Sequence, residues 1–366
     1  MDEVGSGAGV VEAERTGPAT GRLAARRWVR TVVIVLAVVA AVAVLRGKLP
    51  HRAEVVSAIR SAQPAWLLVG SAAEWVSMSM FARQQMSLLR GFGVSTTIWR
   101  ALAVTYSRSA IAISMPAGSA VSAGFAFRTF RAWGASREVA GTVMIMSGLL
   151  SVLGLGLLYL FGFFALLVTH PENTVAVHPV GTVAALVAAA ALAAYAAWST
   201  AYARRARNSQ WGTPDGSADT VPGAEADPGP ASAVRRWIRF VRRTGATALA
   251  TPVSYRRGAL AFAVANWLAD LCCLAAVAQA FHLPLSFYQL GTVYVVVQLV
   301  RQIPVTPGGM GVIEASLLAS LVAAGAAQGP AAAAVLGYRL FSAWLIIPIG
   351  LFTWALLRRR SAPLAD

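Results

Sequence analysis

The stretch QLVRQIPVTPGGMGVIEASLLASLVAAG, residues 298–325, decides the fold. It lies within hydrophobic sequence yet carries two prolines, close-set glycines, an arginine and a glutamate. Pro304 and Pro307 remove backbone donors and stop a helix. Gly308, Gly309 and Gly311 permit a sharp reversal. An ordinary apolar helical pattern then resumes from Val312. The stretch reads as helix, break, helix. In lipid, a broken backbone persists only where protein or a water-filled cavity surrounds it. The free N–H groups at the start of the second helix form an anion site. Arg301 just before the break and Glu314 just after it are costly at membrane depth, and such residues are usually functional. Two readings stand: a discontinuous helix lining a substrate site, or a kinked helix near the membrane surface with Arg301 snorkelling.

The rest of the chain agrees with a membrane setting. Of 366 residues, 57% are hydrophobic and 13% charged, and mean hydropathy is +0.62. These values exclude an ordinary soluble globule and predict an all-α, polytopic helix bundle. The net charge of +16 is explained by arginines at cytoplasmic helix ends, and no segment has the aromatic-interleaved basic pattern of an RNA binder. The two cysteines, Cys272 and Cys273, are adjacent in an apolar run and read as buried packing residues. The four histidines, His51, His170, His178 and His282, lack metal-ligand spacing. No metal or other cofactor is expected.

Hydropathy divides the chain into a disordered cytoplasmic N-terminus (1–27), an N-terminal membrane half (28–202), a basic cytoplasmic loop (203–257), a C-terminal membrane half (258–357) and a cytoplasmic tail (358–366). The expected spans are Trp28–Leu45, Pro64–Ala82, Ile98–Met115, Val139–Val168, Val180–Tyr202, Gly258–Phe281, Phe287–Gln302 and Ala331–Leu357. A signal peptide is the alternative for the first. Loop 46–63 carries four basic residues on the side that alternation places outside, and an amphipathic interfacial helix there would account for them. Short segments at 117–127 and 312–325 return the chain. Arginine placement puts both termini in the cytoplasm. Within the loop, 209–231 reads as a flexible linker, and AVRRWIRFVRRTG as a basic surface helix.

Several ionisable residues fall inside spans. Glu74 lies mid-span, either as a functional acid or as a packing acid bonded to a neighbour. Asn266 and Asp270 stand one turn apart on one face, with Asp270 a partner for an intramembrane arginine. Span three is polar for a span and includes Arg108. It ends in MPAGSAVSAGFAFR, where Pro116-Ala117-Gly118 aligns with Pro307-Gly308-Gly309. Paired Gly/Pro interruptions in two halves point to an inverted-repeat transporter. Chance matching in a Gly/Ala-rich chain is the competing explanation.

IPVTPGGMGVIEASL resembles the signature of the lysylphosphatidylglycerol synthase transmembrane region, a flippase-like membrane family of bacteria and archaea. RQQMSLLRG at 83–91, MPAGSAVSAGFAFRTFRAWG from Met115, and GYRLFSAWLIIPIG from Gly337 are similar to further family segments. The resemblance spans about residues 28–357. It implies a cytoplasmic-membrane lipid flippase handling an anionic or aminoacylated phospholipid. The family's cytosolic aminoacyltransferase domain has no counterpart before Asp366, so synthase activity is not expected. On this reading Arg301, Pro307, Gly308, Gly309, Gly311 and Glu314 bind substrate, aided by Arg108 and Arg339. Glu314 accepts from a headgroup amine or hydroxyl, or neutralises an arginine in the empty state. The competing classes are a scaffold for a lipid- or glycan-synthesis enzyme, docked through 203–257, and an intramembrane transferase using Glu74, Asp270 and Glu314. Against the transferase, the chain shows no nucleotide-binding loop and no nucleophile–base pair.

Overall fold

A computed structural model describes residues 52–115, 118–169, 251–301 and 309–360. These residues belong to one compact unit, Pro50–Asp366. The expected spans Trp28–Leu45 and Val180–Tyr202, most of loop 203–257, and Pro304, Pro307 and Gly308 lie outside them.

The described residues form an all-α membrane bundle: α1 (Arg52–Arg60), α2 (Pro64–Gly91), α3 (Ile98–Ser114), α4 (Gly118–Ala132), α5 (Arg137–Thr169), α6 (Val253–Ala280), α7 (Phe287–Arg301), α8 (Val312–Ala323), α9 (Gln328–Arg339) and α10 (Ile346–Arg360). Among the described residues, four stretches are long and apolar enough to cross a membrane: α2, Arg137–Phe164 of α5, α6, and Gln328–Arg358. The exterior is apolar, with Phe161 and Trp99 among the most exposed side chains, whereas Gln84, Ser107 and Arg339 are buried. That inversion suits hydrocarbon outside and a polar interior.

The central pair is α2 and α6, which run antiparallel. Gln63 N donates to the Ala280 carbonyl (3.0 Å) at one end, Ser77 Oγ donates to Asn266 Oδ1 (3.1 Å) at the crossing, and Ser87 Oγ donates to the Tyr255 carbonyl (3.0 Å) near the other end. Small residues allow the approach: a β-carbon on Gly70 would lie 3.3 Å from Val277 Cγ2. Close packing of this kind, rather than a hydrophobic drive, holds helices together in lipid.

α2 is longer than the span expected at Pro64–Ala82. The run Arg83-Gln84-Gln85 stays helical because Gln84 turns inward and donates to the Ser147 carbonyl at 3.0 Å. Residues 46–63, expected as an outside loop with interfacial helical character, contain the short helix α1, which packs on α9.

α3 and α4 form a hairpin. A buried cluster joins Val104 of α3 to Ala126 and Phe130 of α4, so the outer ends of the two helices lie together. α7 and α8 form a second hairpin, with Gln289 Nε2 reaching the Ala324 carbonyl at 3.3 Å. At 15 and 12 residues, its arms extend only about 22 and 18 Å at 1.5 Å per residue. That is less than the roughly 30 Å hydrocarbon core. The expected spans Ile98–Met115 and Phe287–Gln302 are therefore the first arms of hairpins entering from opposite ends of α2 and α6.

The end where α2 finishes and α6 begins gathers Arg90, Arg131, Arg137, Arg256, Arg257 and Arg358, by the packing of Leu88, Phe130, Ala140, Ala259 and Leu357 into one cluster.

Element order also recurs. Loops 92–97 and 281–286 match in length, and Phe92 and Phe281 cap α2 and α6 with near-identical dihedrals, φ −105°, ψ 15° and φ −101°, ψ 16°. Gly134 and Gly325, both at positive φ, end α4 and α8. The 33 residues of α5 correspond to 328–360, which is interrupted by a π-helical turn, Leu340–Trp344. Pro348 accounts for that turn, since it cannot donate to the Trp344 carbonyl four residues earlier.

α10 lies directly on α3, where a β-carbon on Gly350 would strike the Tyr106 carbonyl and the Ala110 β-carbon. Gly350→Leu is expected to cost about 1–3 kcal/mol through overpacking. Gly141→Ala, in open space, should gain about 0.5–1 kcal/mol of helix propensity. Thermal unfolding of the two variants in detergent checks the contrast.

Candidate functional site

The site is built where α8 begins. Gly311 takes φ +83° and sets the start of the helix, a conformation open to glycine because it lacks a β-carbon. Glu314, three residues on, accepts from the Gly311 N–H through Oε2 at 2.7 Å. Its other oxygen, Oε1, accepts from Arg339 Nε at 2.6 Å. Arg339 is 1% exposed and Glu314 22%. The ion pair joins the first turn of α8 to the last turn of α9, and the π-helical turn follows at once. Arg339 Nη2 is buried and has no hydrogen-bond partner among the described residues. A buried guanidinium nitrogen without an acceptor is costly, so this arginine has a donor in hand at the start of a helix that has its own free N–H groups.

A second cluster centres on Asp270 of α6, which is 6% exposed. Tyr294 Oη donates to Oδ2 at 2.7 Å, Gln298 Nε2 to the same oxygen at 3.2 Å, and Tyr338 Oη to Oδ1 at 2.8 Å. One carboxylate thus ties α6 to α7 and α9. Arg301, one turn beyond Gln298, faces Asp270, Tyr294, Tyr338 and Glu74. Glu74 projects from α2 between Gly70, which abuts the Cys273 carbonyl, and Ser77, which meets Asn266. That register sets it beside Asp270.

The residues singled out from sequence separate into three places. Gly309, Gly311, Glu314 and Arg339 come together at the start of α8. Arg301 belongs to the Asp270 cluster. Arg108 stacks over the Phe81 ring of α2 at 5.3 Å and makes no ion pair among the described residues. Cys272, expected to be buried beside Cys273, is exposed: adjacent residues on a helix point about 100° apart, so one packs and the other faces out. Sequence reasoning did not assign Tyr294, Gln298 and Tyr338. Tyr294 and Gln298 stand four apart on one helix face, the available signal.

An apolar cavity of about 240 Å³ opens between α5, α6 and α7, lined by Leu158, Tyr159, Phe163, Leu271, Tyr288 and Tyr294 among others. Tyr294 thus touches both the cavity and Asp270.

A family model described as the lysylphosphatidylglycerol synthase TM region matches residues 27–350. The chain belongs to this family, whose defining feature is a multi-pass membrane domain. Among individually curated proteins the chain finds no match.

Tyr338→Phe removes the hydrogen bond to Asp270 Oδ1 and should lower stability by about 1–3 kcal/mol. Tyr288→Phe, on the exposed face of α7, should stay within about 0.5 kcal/mol. Chemical unfolding of the two variants in lipid–detergent mixtures measures the difference.

Proposed function

We propose that this chain translocates a lipid with an anionic or aminoacylated headgroup across the cytoplasmic membrane, and that it is a transporter rather than an enzyme. The observation that carries the reading is the buried Nη2 of Arg339 beside the start of α8, which has no partner among the described residues. A headgroup phosphate would accept from Nη2 and from the first N–H groups of α8, a charge-assisted arrangement. Glu314 neutralises Arg339 in the absence of substrate. On phosphate binding it would be released from Nε and freed to accept from an ammonium or hydroxyl on the same headgroup. A headgroup carrying both charges would satisfy both halves of the ion pair.

We further read the two halves as an inverted repeat. Ser77 and Asn266, which meet at the crossing of α2 and α6, lie 189 residues apart, the same offset that relates Phe92 to Phe281 and the start of α2 to that of α6. Equivalent helices that cross antiparallel at equivalent residues are related by a twofold axis in the membrane plane, the arrangement of alternating-access transporters. The symmetry is broken where α5 meets α7. In the other half Gly350 seats α10 on α3, whereas Tyr159 and Phe163 leave the apolar cavity, and an acyl chain would fit there. The arginine-rich end would face the cytoplasm.

The test is headgroup-resolved translocation in proteoliposomes. Wild type should move one anionic or aminoacylated class. Glu314→Gln, which keeps an acceptor for Arg339 Nε, should slow it about tenfold to a hundredfold, as loss of one charged hydrogen bond implies. If no lipid class moves with correctly inserted protein, the scaffold reading replaces this one, and deletion of 209–231 should then abolish function.

A further inference from the structure

We propose that Glu74 and Asp270 form a proton-binding site between α2 and α6, holding one exchangeable proton between two carboxyl groups. The two acids have different surroundings. Asp270 has three hydrogen-bond donors. Glu74 is 9% exposed, and its Oε2 has no hydrogen-bond partner among the described residues. Among the described residues, the groups facing the pair are Tyr106 of α3 toward Glu74, Cys273 of α6, and Tyr294 and Arg301 of α7 and Tyr338 of α9. Among them Arg301 is the one cation. Two carboxylates against one guanidinium leave an uncompensated negative charge inside hydrocarbon, which is costly. One proton restores neutrality, and the unpartnered oxygen of Glu74 is where an O–H can form and donate to Asp270. The proton belongs to the pair as a unit.

The placement gives the site a means of exchange. Arg301 is the last residue of α7. A shift of that helix end carries the counter-cation away from the acids, and the pair then binds its proton more firmly. The return of Arg301 favours release. Coupling of this exchange to lipid movement rests on the reading above, whereas the proton site stands on its own residues.

Infrared spectroscopy of the full chain in lipid, titrated by pH, separates the two. Wild type should show the C=O stretch of a protonated carboxyl with a deuterium shift. Glu74→Gln should lose that band, and Glu138→Gln, at the start of α5, should keep it. A wild type without the band across the titration, or a Glu74→Gln protein retaining it, overturns the proposal. Asp270→Asn provides a second variant if Glu74→Gln fails to insert: it should shift the band or its titration midpoint, and an unchanged midpoint overturns the shared site. In proteoliposomes, a pH gradient should speed translocation severalfold in wild type and not in Glu74→Gln. Absence of all lipid movement with the infrared band intact would defeat the lipid reading and leave the proton site supported.

Discussion

The ion pair between Arg339 and Glu314 is the constraint that ties the first turn of α8 to the last turn of α9. An arginine buried to 1% exposure in an apolar helix must find an acceptor, because an unpaired charge there costs several kcal/mol. Its partner lies in the first turn of α8, where the Gly311 N–H also needs an acceptor. Glu314 meets both needs with its two oxygens, one to Arg339 and one to Gly311.

Around this pair the bundle keeps its polar chemistry inside and its apolar surface outside. Asp270 gathers donors from α7 and α9, so the arm entering the break and the helix bearing Arg339 are tied to one residue of α6. α2 packs along α6 and brings Glu74 to the same level. The two clusters therefore share α9, where Tyr338 and Arg339 are neighbours in sequence but serve different acids. A displacement of α9 would alter both at once.

Much of this was legible in the sequence. Hydropathy marks the long helices, because apolar runs act locally. What failed depends on contacts distant in sequence. The helical path of α2 through Arg83-Gln84-Gln85 requires the Ser147 carbonyl, 63 residues away, to receive Gln84. Glu314 and Arg339 could each be singled out as ionisable residues in apolar surroundings, but no local pattern shows that they pair across 25 residues. Tyr294 and Tyr338 read as packing aromatics until Asp270 is seen between them. Arg108 resembles Arg301 in its placement before a break, yet its neighbour is the Phe81 ring, and a π face in place of a carboxylate changes what it can do.

The central claim is that the Arg339–Glu314 pair is the resting form of a lipid-phosphate site. The most direct measurement is an experimental structure of the chain in nanodiscs of anionic phospholipid. The account predicts a headgroup phosphate within hydrogen-bond distance of Arg339 Nη2 at the first turn of α8, with Glu314 drawn away from Nε. A lipid-saturated structure in which that pair is unbroken and Nη2 faces no phosphate would contradict it.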